Sequence, residues 1–328
     1  MKAIVITNSE GPESLRVQDV ADPVPGPSEL LIRVRATALN RADLLQTLGL
    51  YPAPPDAPKD IPGLEYAGEV VAVGPRVSRY KIGDRVMGIV GGGAFAELLL
   101  CHERESMPIP PGMSFTDAAA IPEAFLTAFD ALVLQAGLRA GENVLISAAG
   151  SGVGTAATQV ANAFGATVIG TARTPSKLEK LRELGMHHGI STGDDGLFAD
   201  EVKKITHGRG VDVVLDLVSG PTVNETLAAL APKARWVLVG MMAGAQAEID
   251  LALLMRKRAH LVGTVLRSRP LEEKIAVAQA AERTLLPLFE GKKLRPVVDT
   301  VHPMSKLQEA FTRLSSNASL GKIVLEWT

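Results

Sequence analysis

Cysteine is nearly absent from this chain. Cys101 stands alone among 328 residues, which rules out an intrachain disulfide and points to a reducing, cytoplasmic setting. Long apolar runs are missing too. No stretch reaches the ~18 consecutive apolar residues of a membrane-spanning helix. The opening MKAIVITNSEGPE lacks the apolar core and cleavage site of a secretory signal. Charge of one sign is also lacking: the formal net charge is -2, and the basic residues are scattered apart from short clusters such as Arg256-Lys257-Arg258. A nucleic-acid partner is therefore not expected.

Metal and nucleophile signatures are missing as well. The histidines (His102, His187, His188, His207, His260 and His302) form no H-x-x-x-H pair, and one cysteine cannot furnish a zinc site. No metal is expected. His187 and His188 leave opposite faces of an extended chain and read as surface or strand-edge residues. No Gly-x-Ser-x-Gly elbow and no catalytic triad is legible. What remains is an ordinary globular balance, 46% hydrophobic and 21% charged, long enough for two domains.

Two rhythms divide the chain. Up to about residue 122, short β-rich segments (1–7, 29–38, 67–73 and 94–100) are broken by proline-rich turns such as 22–27 and 51–55, suggesting an irregular, mostly antiparallel domain. From about residue 123 a helix at 127–136 leads into a strand at 143–147. Further β-branched strands follow at 167–171, 211–215, 235–239 and 261–265, most of them separated by helical patterns. That alternation implies a parallel sheet with helical crossovers. A helix at 271–290, strands at 294–298 and 323–327, and a helix at 304–314 return to the first style. The expected architecture is α/β: a β-rich domain from 1–122 and 268–328, and a doubly wound parallel sheet from 123–267.

The strand at 143–147 has no polar period, as suits a strand covered on both faces. It runs into Gly150-Ser151-Gly152-Val153-Gly154, after which Val153, Ala156, Ala157, Val160, Ala161 and Phe164 fall at helical spacing. A glycine turn between strand and helix can receive a pyrophosphate on backbone amides. The spacing departs from G-x-G-x-x-G, with Ala156 or Ala157 expected to face the sheet. The bland alternative is a tight turn with no ligand. An acid about twenty residues on would bind the ribose hydroxyl of NAD. Here Gly170-Thr171-Ala172-Arg173-Thr174-Pro175-Ser176-Lys177 has none. Arg173, Ser176 and Lys177 stand where a 2′-phosphate would lie, so NADPH is the expected cofactor. Pro175 suits the first position of the next helix, which puts Lys177 in a first turn whose dipole disfavours a cation. The bland alternative is a solvated surface lysine.

Asn40-Arg41-Ala42-Asp43, Gly63-Leu64-Glu65, Pro108-Ile-Pro110-Pro-Gly112, Ala119-Ala-Ile-Pro122, Leu126-Thr127-Ala128 and the glycine turn occur in an order that resembles the zinc-independent medium-chain dehydrogenase/reductases. The chain looks like an NADPH:quinone oxidoreductase of the zeta-crystallin type. Gly91-Gly92-Gly93, Ile121-Pro122-Glu123-Ala124, Leu266-Arg267-Ser268-Arg269 and Gly321-Lys322-Ile-Val-Leu-Glu326 point to the p53-inducible quinone oxidoreductase subgroup. The resemblance covers nearly the whole chain. It implies a GroES-like substrate domain, a Rossmann domain, and a homodimer joined through the Rossmann sheet edges. Zinc-dependent relatives carry a histidine where Leu64 stands.

By matched position, the resemblance implies that Asn40, Asp43 and Tyr51 line a cleft near the nicotinamide and that Thr127 meets its end. Ser151, Gly152, Val153 and Gly154 would meet the pyrophosphate, and Arg173 and Lys177 the 2′-phosphate. Val218, Gly240, Met241, Met242, Leu266, Arg267, Ser268, Asn317 and Lys322 would close around the cofactor. Where the family often has Asn-Tyr, this chain has Ser191-Thr192, so Thr192 keeps a hydroxyl without the aromatic face.

Tyr51 is a candidate to stack on a quinone or donate a proton, and Asn40 and Arg41 to polarise an oxygen. Bland alternatives are a proline-packed loop for Tyr51, helix capping for Asn40 and Asp43, and a surface ion pair for Arg41. The expected activity is metal-independent reduction of a quinone by NADPH. Two alternatives are reduction of an enoyl or alkenal double bond with the same cofactor, and a non-enzymatic NADPH-binding structural or sensing protein.

Overall fold

The computed structural model describes residues 1–193 and 195–327. The strands in chain order are β1 (Lys2–Ile6), β2 (Leu15–Asp19), β3 (Glu29–Ala38), β4 (Glu65–Val73), β5 (Arg85–Ile89), β6 (Leu98–His102), β7 (Met107–Pro108), β8 (Asn143–Ile146), β9 (Thr167–Ala172), β10 (His188–Ser191), β11 (Val211–Asp216), β12 (Leu230–Leu238), β13 (His260–Gly263), β14 (Val298–Pro303) and β15 (Lys322–Glu326). The α-helices are α1 (Arg41–Thr47), α2 (Phe115–Ala119), α3 (Pro122–Phe129), α4 (Gly152–Ala163), α5 (Pro175–Arg182), α6 (Ala199–Ile205), α7 (Val223–Ala229), α8 (Leu251–Lys257), α9 (Leu271–Glu290) and α10 (Leu307–Ser315). The chain folds as two compact units, Met1–Leu126 with Leu266–Thr328, and Thr127–Val265.

The second unit is built on six parallel strands in the order β10-β9-β8-β11-β12-β13. Counting from β8 as strand one, this is the doubly wound order 3-2-1-4-5-6, which reverses between β8 and β11. The parallel sheet read from the sequence is therefore present. Burial explains the strand composition: all six residues of β11 are buried, including Asp212 and Asp216. A buried carboxylate needs partners. Asp212 takes the Asn143 amide at 2.9 Å and both terminal nitrogens of Arg209. His187 and His188 are exposed beside or in the edge strand β10, as expected.

The first unit holds a seven-stranded sheet, six strands in the order β14-β15-β3-β4-β5-β7 and a seventh, β6, paired to β3, with a separate β1–β2 ribbon. In β3 the buried residues Leu30, Ile32, Val34 and Ala36 recur every second position, which turns one face toward the core. The late strand β15 pairs antiparallel with β3, Val324 opposite Ala38, and parallel with β14. Its Ile323 and Leu325 pack with Leu307, Ala310 and Phe311 of α10 and with Ile4, Leu39 and Phe95.

Several boundaries differ from the sequence reading. The strand expected at 94–100 begins only at Leu98, because Phe95 uses its amide on Pro62 and its carbonyl on Ile4. No strand forms over 294–297. Leu294 instead closes the end of α9 through Leu288, and pairing starts at Val298 beyond Pro296. The helix expected at 127–136 starts earlier, at Pro122, and widens into a π turn over Asp130–Gln135. The helix expected at 304–314 opens with a 3-10 turn, Met304–Lys306. The helix at 271–290 and the strand at 29–38 coincide with α9 and β3.

Candidate active site

The glycine turn leaves the carboxyl end of β8, at the point where the sheet order reverses. Ala148 adopts φ 47° to begin it. Ser151 caps α4: its Oγ accepts the Gly154 amide at 3.0 Å and its carbonyl accepts the Thr155 amide at 2.8 Å. Among the described residues, the Gly152 and Val153 amides have no acceptor within the chain. Two free N–H groups in the first turn of a twelve-residue helix form an anion cradle, and this donor set fits a dinucleotide pyrophosphate. Ala156 and Ala157 are both fully buried, and Gly154 is the position where packing requires a glycine. A Cβ there would lie 2.5 Å from the Ala148 carbonyl oxygen and 2.6 Å from that of Ala149.

Pro175 opens α5 and Lys177 sits in its first turn, as read from the sequence. Arg173 is exposed at the end of β9, the Thr192 amide donates to Ala172, and the Ser191 hydroxyl lies 3.5 Å from the Arg173 carbonyl. The fold thus gathers Arg173, Lys177 and Thr192 at the carboxyl ends of β9 and β10. The loops after β11 and β12 are fixed by Asp216, which is fully buried. Its carboxylate accepts the Ser147 hydroxyl, the amides of Val218 and Ser219, and Trp236 Nε1 at 3.1 Å. Ser219 reaches the Gly240 carbonyl at 3.0 Å, while Met241 and Met242 stay exposed. Thr127 is buried in this unit.

In the first unit, the starting points of four elements converge on one buried polar cluster. Lys322, first in β15, is 4% exposed, and Glu65, first in β4, is 0% exposed. Their ion pair measures 2.7 Å. The other two Lys322 protons go to the Leu39 carbonyl at 3.0 Å and to Asn40 Oδ1, so the ammonium is saturated. Glu65 also takes Asn40 Nδ2 at 2.9 Å and the Glu123 amide of α3 at 2.8 Å. Asn40 precedes α1, and Asp43 Oδ2 accepts its backbone amide at 2.7 Å, a helix-capping geometry. Asp43 Oδ1 accepts the Gly63 amide at 3.1 Å. Gly63 has φ 97°, and a Cβ there would strike Phe95 at 2.5 Å.

Arg267, 5% exposed, belongs to the same unit. It donates to the Gly91 carbonyl at 2.7 Å, the Tyr51 carbonyl at 3.1 Å and Gln46 Oε1 at 2.6 Å, and lies 5.0 Å from the Tyr51 ring centre. Its side chain is therefore a strut under the Tyr51 loop, so the loop tyrosine packs against a cation. Leu266 is half-buried and Ser268 exposed. Among the described residues, Arg41 forms no ion pair. It donates to Asn317 Oδ1 at 2.7 Å and to the Leu314 carbonyl, both neutral acceptors, and burial lowers its pKa. Asn317 holds φ 54°.

Electrostatics sets two carboxyls of this cluster apart. Burial pushes Asp43 up to about 7, against the pull of its two amides and Lys322. Burial and the neighbouring Glu65 push Glu123 up to about 8. Tyr51 is raised by burial and then by Glu123, with Arg267 opposing. Sequence reasoning placed Glu65 and Glu123 only inside family motifs. An acid directly after the proline that starts a helix was the available signal for Glu123. Gln46 gave none.

Residues 26–111 match the alcohol dehydrogenase GroES-like domain, and residues 152–283 the zinc-binding dehydrogenase family. A quinone oxidoreductase of Lama guanicoe is 34% identical, covering 99% of this chain and 97% of its own. The synaptic vesicle membrane protein VAT-1 homolog-like of Mus musculus is 33% identical, covering 99% and 81%. The CurK enoyl reductase structure superposes with TM-score 0.87 at 30% identity, covering 99% of this chain and 98% of its own. The chain belongs to the medium-chain dehydrogenase/reductases of the quinone oxidoreductase type. The family binds a nicotinamide cofactor. Among the described residues, no group of three or more His, Cys, Asp or Glu is placed to hold a metal. The Glu65 carboxylate is already neutralised by Lys322, so this donor set does not fit zinc.

Two outcomes follow for the cluster. Lys322→Met strands Glu65 without its cation and costs about 3–5 kcal/mol in chemical denaturation, with part regained in Glu65→Gln/Lys322→Met; an unchanged midpoint would show that the pair carries no stability. The raised carboxyls hold protons that the unfolded chain has released, so stability falls as pH rises from the ordinary values of 3.8 and 4.5 through about 7 and 8. Thermal unfolding across that window reads the slope. A stability that climbs with pH throughout would contradict it.

Proposed function

We propose that this protein is a metal-independent, cytoplasmic NADPH:quinone oxidoreductase. The observation that carries this reading is the pairing, in one chain, of a dinucleotide turn at a sheet switch point with a polar cluster whose central carboxylate is held by an ammonium. Such a cluster offers hydrogen bonds and protons to an acceptor but no Lewis acid. The nicotinamide supplies the hydride when bound. Similarity to a quinone oxidoreductase along nearly the whole of both chains supports a quinone as acceptor. Arg173 and Lys177, with no acid at the end of β9, support the 2′-phosphate form. Gly152 and Val153 would hold the pyrophosphate. The neighbouring loops carrying Val218 and Gly240–Met242, with Thr127, would frame the cofactor.

In this reading Tyr51 orients the acceptor. Among the described residues its hydroxyl has no hydrogen-bond partner, so it is free to donate to an acceptor oxygen. Asn40, Asp43 and Lys322 hold the surrounding backbone in place, and Arg41 braces the segment around Asn317. Reduction of an enoyl or alkenal double bond is the second reading, favoured by the superposition on an enoyl reductase. The cytoplasmic assignment rests on the single, buried Cys101. The strand β13 leaves Leu261 exposed and, among the described residues, pairs with β12 alone at the edge of its sheet, which supports a homodimer joined there.

NADPH oxidation is to be followed with 1,2-naphthoquinone, benzoquinone and crotonyl-CoA. The naphthoquinone should turn over fastest; preference for crotonyl-CoA would install the second reading, and binding without any turnover a non-enzymatic role. Tyr51→Phe should slow quinone turnover roughly five- to tenfold, the worth of one hydrogen bond, with cofactor affinity little changed. An unaltered turnover number removes Tyr51 from the chemistry.

Arg173→Ala/Lys177→Ala should weaken NADPH binding and leave NADH binding nearly as before. Equal losses for both cofactors would show that these residues do not read the 2′-phosphate.

A further inference from the structure

The buried cluster carries more acid than base. Asp43 from α1, Glu65 from β4 and Glu123 from α3 face Lys322 from β15 and Arg267 from the segment before α9, with the neutral Tyr51 alongside. Three carboxyls against two fixed cations leave one negative charge uncompensated in a buried place, and such a site takes up a proton instead.

Hydrogen bonding decides which carboxyl keeps it to the higher pH. Both Asp43 oxygens accept backbone amides, and Glu65 accepts three donors. Bonds of that sense favour the ionised form. The Glu123 carboxyl accepts none among the described residues and stays half-buried, within reach of solvent. Its own amide is spent on Glu65. We propose that Glu123 holds the surplus proton of this cluster and donates it to the acceptor once hydride has been delivered.

This rests on the reductase reading and names the missing half of its chemistry. Hydride brings two electrons and one proton nucleus, leaving a quinone as the hydroquinone monoanion. The O–H bond of the Glu123 carboxylic acid breaks, its proton completes the hydroquinone, and the carboxylate is reprotonated from water. The raised pKa of about 8 agrees with a group still protonated at neutral pH. Tyr51 and Glu123 are thus the cluster's two reactive groups, and the other members fix their positions.

The pH dependence of kcat for wild type, Glu123→Gln and Glu123→Asp, together with infrared difference spectra of the protonated carboxyl band, tests this. Wild type should lose activity on an alkaline limb near pH 8. Glu123→Gln should fall about 10²-fold, lose that limb and lose the carboxyl band, while NADPH affinity holds; Glu123→Asp should restore part of both rate and limb. An intact limb in Glu123→Gln, or no such band in wild type, overturns the proposal even if quinone reduction is confirmed. A band assigned to Glu123 without turnover on any acceptor would instead sink the reductase reading, and the donor role with it.

Discussion

The ion pair between Lys322 and Glu65 is the interaction on which the first unit depends. Both groups are almost wholly buried, and both begin a strand. A buried ammonium is tolerated only when all its protons are used. Lys322 uses them on the Leu39 carbonyl, the Asn40 side-chain oxygen and the Glu65 carboxylate. That requirement ties the last strand of the chain to the start of α1 and the start of β4. Glu65 extends the tie to α3 through the Glu123 amide. The geometry around Tyr51 follows from the same logic, because Arg267 satisfies its guanidinium on three loop and helix acceptors and so fixes the loop beneath the ring.

Asp216 plays the matching part in the second unit. It ends a strand whose residues are all buried, and its acceptors are filled by Ser147 beside the glycine turn, by the loop after its own strand, and by Trp236 of β12. Each unit therefore uses one buried carboxylate to set the loops that carry chemistry. The difference lies in the partners. Asp216 is satisfied by neutral donors and stays a positioning group, whereas Glu65 sits beside Lys322 and two further acids, Asp43 and Glu123, whose proton occupancy becomes a variable.

Much of the fold was legible because it rests on local periodicity. The glycine turn after an unbroken apolar strand, the alternating second half and the long helix at 271–290 all follow from spacing within a short window. Short elements were not legible. α1 spans seven residues and β5 carries a glycine, so neither builds a clear period. The boundary at Val298 was missed because Pro296 interrupts an otherwise strand-like run. At the site, the cofactor turn could be read locally, but the Lys322–Glu65 pair could not. It joins residues from opposite ends of the chain, and only the pairing of β15 with β3 brings them together. The same holds for Arg267 beneath Tyr51. Asn40 and Asp43, weighed as caps, are caps as well as members of the cluster, so the bland and functional readings describe one arrangement.

The chemistry open to such a site follows from which of its charges are spent. A metal would polarise a bound oxygen directly. The Lys322 ammonium has no proton left to offer, and Arg267 is committed to Gly91, Tyr51 and Gln46, so neither cation can activate a substrate. Activation falls to groups with unused valence, the Tyr51 hydroxyl and the Glu123 carboxyl. Both are raised above their ordinary pKa values by burial, which keeps them protonated and makes them donors rather than bases. Oxidising an alcohol needs a base to remove a proton as hydride departs; reducing an electrophile needs an acid as hydride arrives. Under the proposed function, the charge balance of this cluster favours the second direction. The same balance suits any acceptor that must gain a hydride and a proton in turn, which is why quinone and enoyl substrates compete for a site of this kind.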